Sequence, residues 1–399
     1  MKISSLLLLP LLLMAGLQGA AQTSDSSTMG IRSIPIQVSL VPPLSSNGLE
    51  SGHFINSFSF NLLAGVSGGI DGVEIGGFSN LVKGDVRGVQ IAGFSNSVGG
   101  MTDGVQIGGF ANYNQRAFLG AQIGGFANVV NDDFRGVQLG GFANRVKGNM
   151  EGAQVAGFTN VNHGKVTGIQ ISGFANKSQN VTGIQIGGFT NLNENRVEGL
   201  QIAGFYNRTR TLKGLQIGVV NVVDSLEAGA SIGLINIVKN GYKALEIESS
   251  PTLVGSVNFK SGSEYLYNIY SLSLTPIGDD VAWGYGLGLG SRLPITDRWT
   301  FNFEAMAHQI HEANFRYDRL NMLNRLKVNA SYAFGNGMEI YAGPVANVQV
   351  SSRFNRGRTE AIQSELAAYD GISWNGRNTR THLYFGATAG LRIPILSGN

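Results

Sequence analysis

The chain has 399 residues, of which 57 are Gly, 9 are Pro and none is Cys, with 14% charged and 43% hydrophobic residues and a formal net charge of +3. Gly is at about twice ordinary usage but has no Gly-X-Y period, which excludes collagen, and the hydrophobic content excludes a disordered chain. The near-neutral balance, with no block of Lys and Arg, argues against a nucleic-acid partner, and the lack of Cys removes disulfides, thiolate zinc sites and Cys nucleophiles.

Residues 1–21 read as an export signal. Lys2 opens it, Leu6 to Leu17 form its apolar core, and Gly19, Ala20 and Ala21 provide a small-residue cleavage site near Ala21. No Cys follows for a lipid anchor, and no later run of about 18 apolar residues can form a spanning helix. Membrane insertion is therefore expected to use strands. In the N-terminal segment 22–53, Ile34 to Val41 is expected to supply one barrel strand, with Pro35 at its start or on an unpaired edge. Phe58 to Leu63 is expected as another barrel strand or as the cap of the first coil.

Residues 54–240 form a repeat region. The nonapeptide at 72–80 returns every sixteen residues through 168–176, and further copies start at Gly183, Gly199, Gly214 and Gly229, making eleven. Asn closes each copy, from Asn80 to Asn236. Gln holds the third position from Gln90 to Gln216. Phe holds the seventh from Phe78 to Phe205 and then becomes Val220 and Ile235. One-residue slips are expected in the connectors, between Asn176 and Gly183, Asn207 and Gly214, and Asn221 and Gly229.

In the copy Val86 to Val98 the large apolar residues do not follow simple alternation. Chain corners at Gly88 and at Ala92-Gly93 would turn Val86, Val89, Ile91, Phe94 and Val98 inward, leaving Arg87, Gln90 and Ser95 outside. This predicts a β-solenoid with one coil per repeat, in which identical residues stack. The structural repeat positions are then Gly88, Gln90, Ile91, Gly93, Phe94 and Asn96, with Gln106, Phe110, Asn112, Gln138, Phe142 and Asn144 as their equivalents. Asn is expected as a buried ladder at the corners. The Gln row is expected on the surface, as a flat binding face or a solvent-facing ladder. The alternative is an antiparallel meander in which each repeat is one strand of a single barrel of about 20 strands.

Residues 241–399 read as an antiparallel outer-membrane-type barrel of about 8 strands. Asn240-Gly241 signals a hairpin, and strand-like segments follow at 243–260, 265–275, 281–292, 299–310, 324–335, 338–351 and 382–395. All three Trp and nine of the twelve Tyr lie beyond residue 264, as expected for aromatic girdles. Residues 353–381, with Arg353, Arg356, Arg358, Arg377 and Arg380, read as a long exposed loop.

Catalytic signals are weak. Gly65 to Gly69 matches a nucleophile elbow around Ser67 but lacks a strand-to-helix context. His308 and His311 would point to opposite faces of one strand, which argues against a shared metal. Gly284 to Gly290 alternates as a strand rather than a phosphate loop. No catalytic residue, cofactor or metal ligand is assigned.

The repeats GVQIAGFSN and GVQIGGFAN, with connectors such as VKGDVR and VVNDDFR, resemble a family of signal-peptide-bearing surface repeat proteins of Gram-negative-type bacteria. The resemblance covers about 54–245. It implies outer-membrane or cell-surface placement and no established catalytic residues. The expected function is a non-enzymatic scaffold or adhesion surface, with outer-membrane lipid and a surface glycan or protein ligand as partners. The alternatives are a channel or transport protein and, less favoured, a membrane-embedded hydrolase.

Overall fold

The computed structural model describes residues 32–277, 280–311, 320–335, 337–352, 371–375 and 379–395. The export signal at 1–21 and most of the loop at 353–381 lie outside the described residues. The chain folds as a parallel β-solenoid of roughly twelve turns followed by a closed eight-stranded antiparallel barrel. Contacts divide it into two compact units, Met1–Gln179 and Asn180–Asn399. Coils occur in both, and the barrel belongs to the second.

In the first unit each coil contributes a long strand, such as Val86–Ala92, and a short one, such as Ser95–Val98. Each pairs in parallel with its equivalent sixteen residues on. Gly88 faces Gly104, Gln90 faces Gln106 and Ile91 faces Ile107, while Asn96 faces Asn112. The large meander barrel is thereby excluded, because its strands would be antiparallel and would not place like on like.

The expected corner at Gly88 is absent. No phase break occurs there, because the long strand alternates normally. Val86, Gln90 and Ala92 are buried, whereas Arg87 and Ile91 face out. Gly88 itself sits on the inward phase with φ +118°, a conformation that disfavours side chains. A Cβ there would also lie 2.0 Å from the Gly72 carbonyl oxygen of the preceding coil. The second Gly of the motif has a different role. At Gly93 a Cβ would lie 2.1 Å from the Gly77 carbonyl oxygen, so this position permits close coil-to-coil approach.

The N-terminal segment also departs from expectation. Arg32–Val41 is not a barrel strand; it pairs in parallel with Phe54–Asn61, which pairs in turn with Gly69–Gly76. Both segments are coils of the solenoid. Pro35 therefore lies on the strand that begins the stack, the position a sheet tolerates for Pro.

Two of the late copies are shortened in the turn, not in the connector. The register aligns Tyr206 with Val220 and Val220 with Ile235. Val219 and Leu234 therefore continue the Phe row, and Val220 and Ile235 do not. The slip expected between Asn221 and Gly229 lies instead within the Gly-to-Asn segment of these copies.

The barrel strands are β1 (Tyr242–Ser249), β2 (Gly255–Gly262), β3 (Tyr267–Ile277), β4 (Asp280–Pro294), β5 (Trp299–His311), β6 (Asn321–Ala333), β7 (Glu339–Ser352) and β8 (Thr379–Pro394). Neighbours pair antiparallel, and β8 closes onto β1 with Ile247 opposite Leu391. The eighth strand arises because the segment at 243–260 is two strands, separated at Ser250-Pro251. A short strand, Ile372–Asn375, adds to β8. The turns at 263–266, 295–298 and 334–338 are short and share the end at which β1 begins. The connections after β5 and β7 are the long ones, and they leave from the opposite end.

Candidate functional site

Three groupings of side chains stand out: two amide rows inside the solenoid, an apolar stripe outside it, and an ionic cluster inside the barrel. The Gln row is interior, contrary to expectation, with Gln90, Gln106, Gln122 and Gln138 each 0% exposed. Each Gln Nε2 donates to the Oε1 of the Gln one coil earlier, from Gln106 to Gln90 at 2.8 Å and from Gln138 to Gln122 at 2.7 Å. The row is neither a binding face nor a solvent-facing ladder.

The Asn row is buried as expected and does more than stack. Asn96 Nδ2 donates to Asn112 Oδ1 at 2.9 Å and to the Ile107 carbonyl at 2.7 Å. It therefore ties the short strand of one coil to the long strand of the next. Asn144 repeats both bonds, to Asn160 and to the Val155 carbonyl. The apolar part of the interior is separate, where Ile70, Val82, Val86 and Val98 pack together.

The Gln row ends at a carboxylate. Glu74 occupies its position in the copy before Gln90 and is fully buried. Its Oε2 accepts from Gln90 Nε2 at 2.8 Å, and its Oε1 accepts from Asn61 Nδ2 at 3.1 Å and Ser67 Oγ at 3.2 Å. Burial pushes the Glu74 carboxyl above its ordinary value, against the opposing effect of these donors.

The Ile and Phe rows, expected inside, face out. Val89, Ile91 and Phe94 lie on the outward phase, with Ile91 36% exposed and Phe78 52%. The Phe rings stack in register at 4.7 Å from Phe78 to Phe94 and 4.9 Å from Phe94 to Phe110 and Phe126 to Phe142, their planes within 3° of parallel in these pairs. Stacking covers the ring faces and leaves the edges bare. None of the three outward stripe positions carries a charge in any of the eleven copies. The next outward position does, with Arg135 against Glu151 and Lys213 against Glu198.

The barrel has the same inversion, and here the alternation predicts it. Leu245, Ile247, Val257, Phe259, Leu272 and Phe303 face out and are exposed. Glu246, Glu248, Lys260, Glu304, Lys327 and Arg392 face in and are buried. Lys260 Nζ reaches Glu246 at 2.5 Å and also bonds Glu304. Lys327 Nζ lies 2.6 Å from Glu248 and 2.8 Å from Glu304. Arg392 spans Glu246 at 2.9 Å and Glu339 at 2.7 Å. An eight-stranded barrel has an interior just wide enough for side chains to fill, and these fill it. Trp299 against Tyr332, and Tyr332 against Phe334, place aromatic edges at the short-turn end.

The residues weighed for catalysis do not come together. Ser67 ends a strand of the solenoid interior, where Gln37 and Asn56 donate to it. His308 lies in the barrel interior, 3.1 Å from Ser271 Oγ, with no carboxylate bonded to its Nδ1. A nucleophile, base and orienting acid are thus not assembled there. His311 lies on the opposite face of β5 and stacks on Trp283 at 4.5 Å. Among the described residues no cluster of His, Asp and Glu suits a metal ion. No family model, curated protein or solved structure matches the chain.

The Gln row is the amide row that sequence reasoning puts on the wrong side; the Asn row is placed inside correctly. One signal for the buried amides is in the sequence: Asn closes every copy and Gln departs only to Glu74 and Ser231 at the two ends, whereas the outward position at Arg87 varies among acidic, basic and uncharged residues.

Proposed function

We propose that the chain is an exported, non-enzymatic outer-membrane protein whose barrel is a closed anchor and whose solenoid is a scaffold or adhesion surface. One observation carries this reading: the barrel is apolar outside and ionic inside, the distribution a lipid-embedded barrel requires. The interior ion pairs occupy the space a conducting path would need, which weighs against a transport role. The parallel stacking of the repeats removes the wide pore on which that role was based. The solenoid suits a scaffold because its interior repeats from coil to coil while the outward row of Arg87 differs among the copies.

The test is reconstitution of the full chain into planar bilayers. Insertion with no stepwise conductance is expected. A steady open-channel current would overturn the anchor reading in favour of transport.

A further inference from the structure

The apolar stripe is the largest feature that the anchor reading leaves without a role. A water-exposed solenoid has no need of bare Phe edges, and contiguous exposed apolar surface marks an interaction site. The question is what covers it. In the second unit the last three coils of the stripe carry Leu200, Ile202 and Phe205, then Leu215, Ile217 and Val219, then Ile232 and Leu234.

The last of these coils meets the barrel. Asn268 Nδ2 donates to the Gly233 carbonyl at 2.8 Å, and Tyr270 OH donates to the Leu234 carbonyl at 2.8 Å. Both donors project from the outer side of β3. The Asn row itself passes to the barrel there, with Asn236 bonded to Asn268. Leu234 lines one apolar groove with Leu287 and Leu289, which are outward residues of β4. The stripe therefore runs without interruption into the outer wall of the barrel.

We propose that the stripe of coils 180–238 lies on lipid, against the leaflet at the short-turn end of the barrel. The proposal rests on the barrel being a membrane anchor. Three observations carry it. The stripe is continuous with the wall that would contact lipid. It has no charged position in any copy. Its solenoid enters the barrel at the end of the short turns, which in outer-membrane barrels is the periplasmic end, so of the two proposed solenoid roles this placement takes the scaffold and not the adhesion surface. The charged row beside the stripe has mixed sign, Glu198 next to Lys213. Adsorption is therefore apolar rather than electrostatic, and should depend little on salt or on anionic lipid. A second copy seated on the stripe would run into the lipid at Leu234, which disfavours self-association as the cover.

The chain has no Cys, so a single introduced thiol carries a unique label. Full-length Phe205→Cys, Arg208→Cys and Leu272→Cys would be labelled with an environment-sensitive dye and folded into phosphatidylcholine vesicles, with and without brominated acyl chains. Leu272 reports the barrel wall and Arg208 a charged outward position of the same coil that lies off the stripe, in register between Leu192 and Val222. The expected result is a blue shift and loss of most emission at Phe205 and Leu272, with neither at Arg208, unchanged by 1 M salt. Quenching at Leu272 but not Phe205 overturns the stripe proposal and leaves the anchor standing. Quenching at neither overturns both. A shielded but unquenched label in Phe205→Cys, together with disulfide cross-linking of two unlabelled Phe205→Cys molecules through their introduced thiols, means a second copy covers the stripe and overturns the proposal. If Phe205→Cys does not fold, Ile232→Cys reads the same surface with a smaller loss of side chain.

Discussion

The two interiors of this protein solve the burial of polar groups in opposite ways. The solenoid interior is lined by neutral amides, and the barrel interior by Lys, Arg and Glu. Symmetry explains the difference. In a parallel coil stack each residue meets its own equivalent one strand spacing away, about 4.8 Å. A buried Lys or Glu would face its like at that distance, which is costly in a low-dielectric interior. Gln and Asn carry a donor and an acceptor on one group, so identical copies satisfy one another. Antiparallel barrel strands bring different residues together, such as Glu304 opposite Lys327. Unlike charges can then pair. Repetition therefore restricts the solenoid to self-complementary side chains, and the barrel has no such restriction.

The largest test of this contrast is in the barrel. Lys327→Met leaves Glu248 and Glu304 without one of their shared cations, and breaking a buried pair in this way costs about 3–5 kcal/mol. The folded species should be lost at lower urea or temperature, read from its altered electrophoretic mobility before and after heating. The next effect is in the solenoid. Gln122 Nε2 donates to Gln106 at 2.7 Å and to Asn114 at 2.8 Å. Gln122→Glu turns those donors into an acceptor facing two acceptors, at a cost of about 3 kcal/mol. A shift of the solenoid unfolding transition in far-UV circular dichroism would measure it. An unchanged midpoint would mean that the ladder is not what constrains the interior.

The smallest effect concerns the one carboxylate among the amides. Because the Glu74 carboxyl is raised in the fold, the folded state favours its protonated form. Stability is then full below the ordinary carboxylate range and declines as pH rises through it toward the raised value. Glu74→Gln should flatten this slope. Thermal midpoints of the two proteins between pH 4 and pH 8 make the comparison. A wild-type midpoint that rises with pH would reverse the sign and refute the assignment.

The architecture is largely legible in the sequence, and the orientation of its side chains is not. Eleven in-register copies ending in Asn imply stacking, and the strand content of 241–399 implies a barrel. The eighth barrel strand is hidden because Pro251 is the main mark of a break within 243–260. Apolarity alone assigns Val89, Ile91 and Phe94 to a core, and that exchanges inside and outside in the solenoid. Normal alternation around Gln90 puts Val89 and Ile91 outside, and the break between the strands after Ala92 resets the phase so that Phe94 joins them. The same alternation in β4 and β5 places Leu287 and Phe303 outside, and a barrel in lipid makes that direction the natural one. The candidate surface is thus present in the sequence as a pattern, and its direction depends on knowing which medium it faces.

The amide rows also have a sense. Along the Asn row the N–H groups point toward later coils, Asn80 to Asn96, whereas along the Gln row they point toward earlier ones, Gln106 to Gln90. Two lines of aligned dipoles thus run side by side in opposition, and their fields largely cancel. Lengthening the array by a coil adds equally to both and builds no pole at either end. Where the Gln line stops, its N–H groups point toward Glu74, an acidic side chain at the donor end of a dipole row, as one is at the start of a helix.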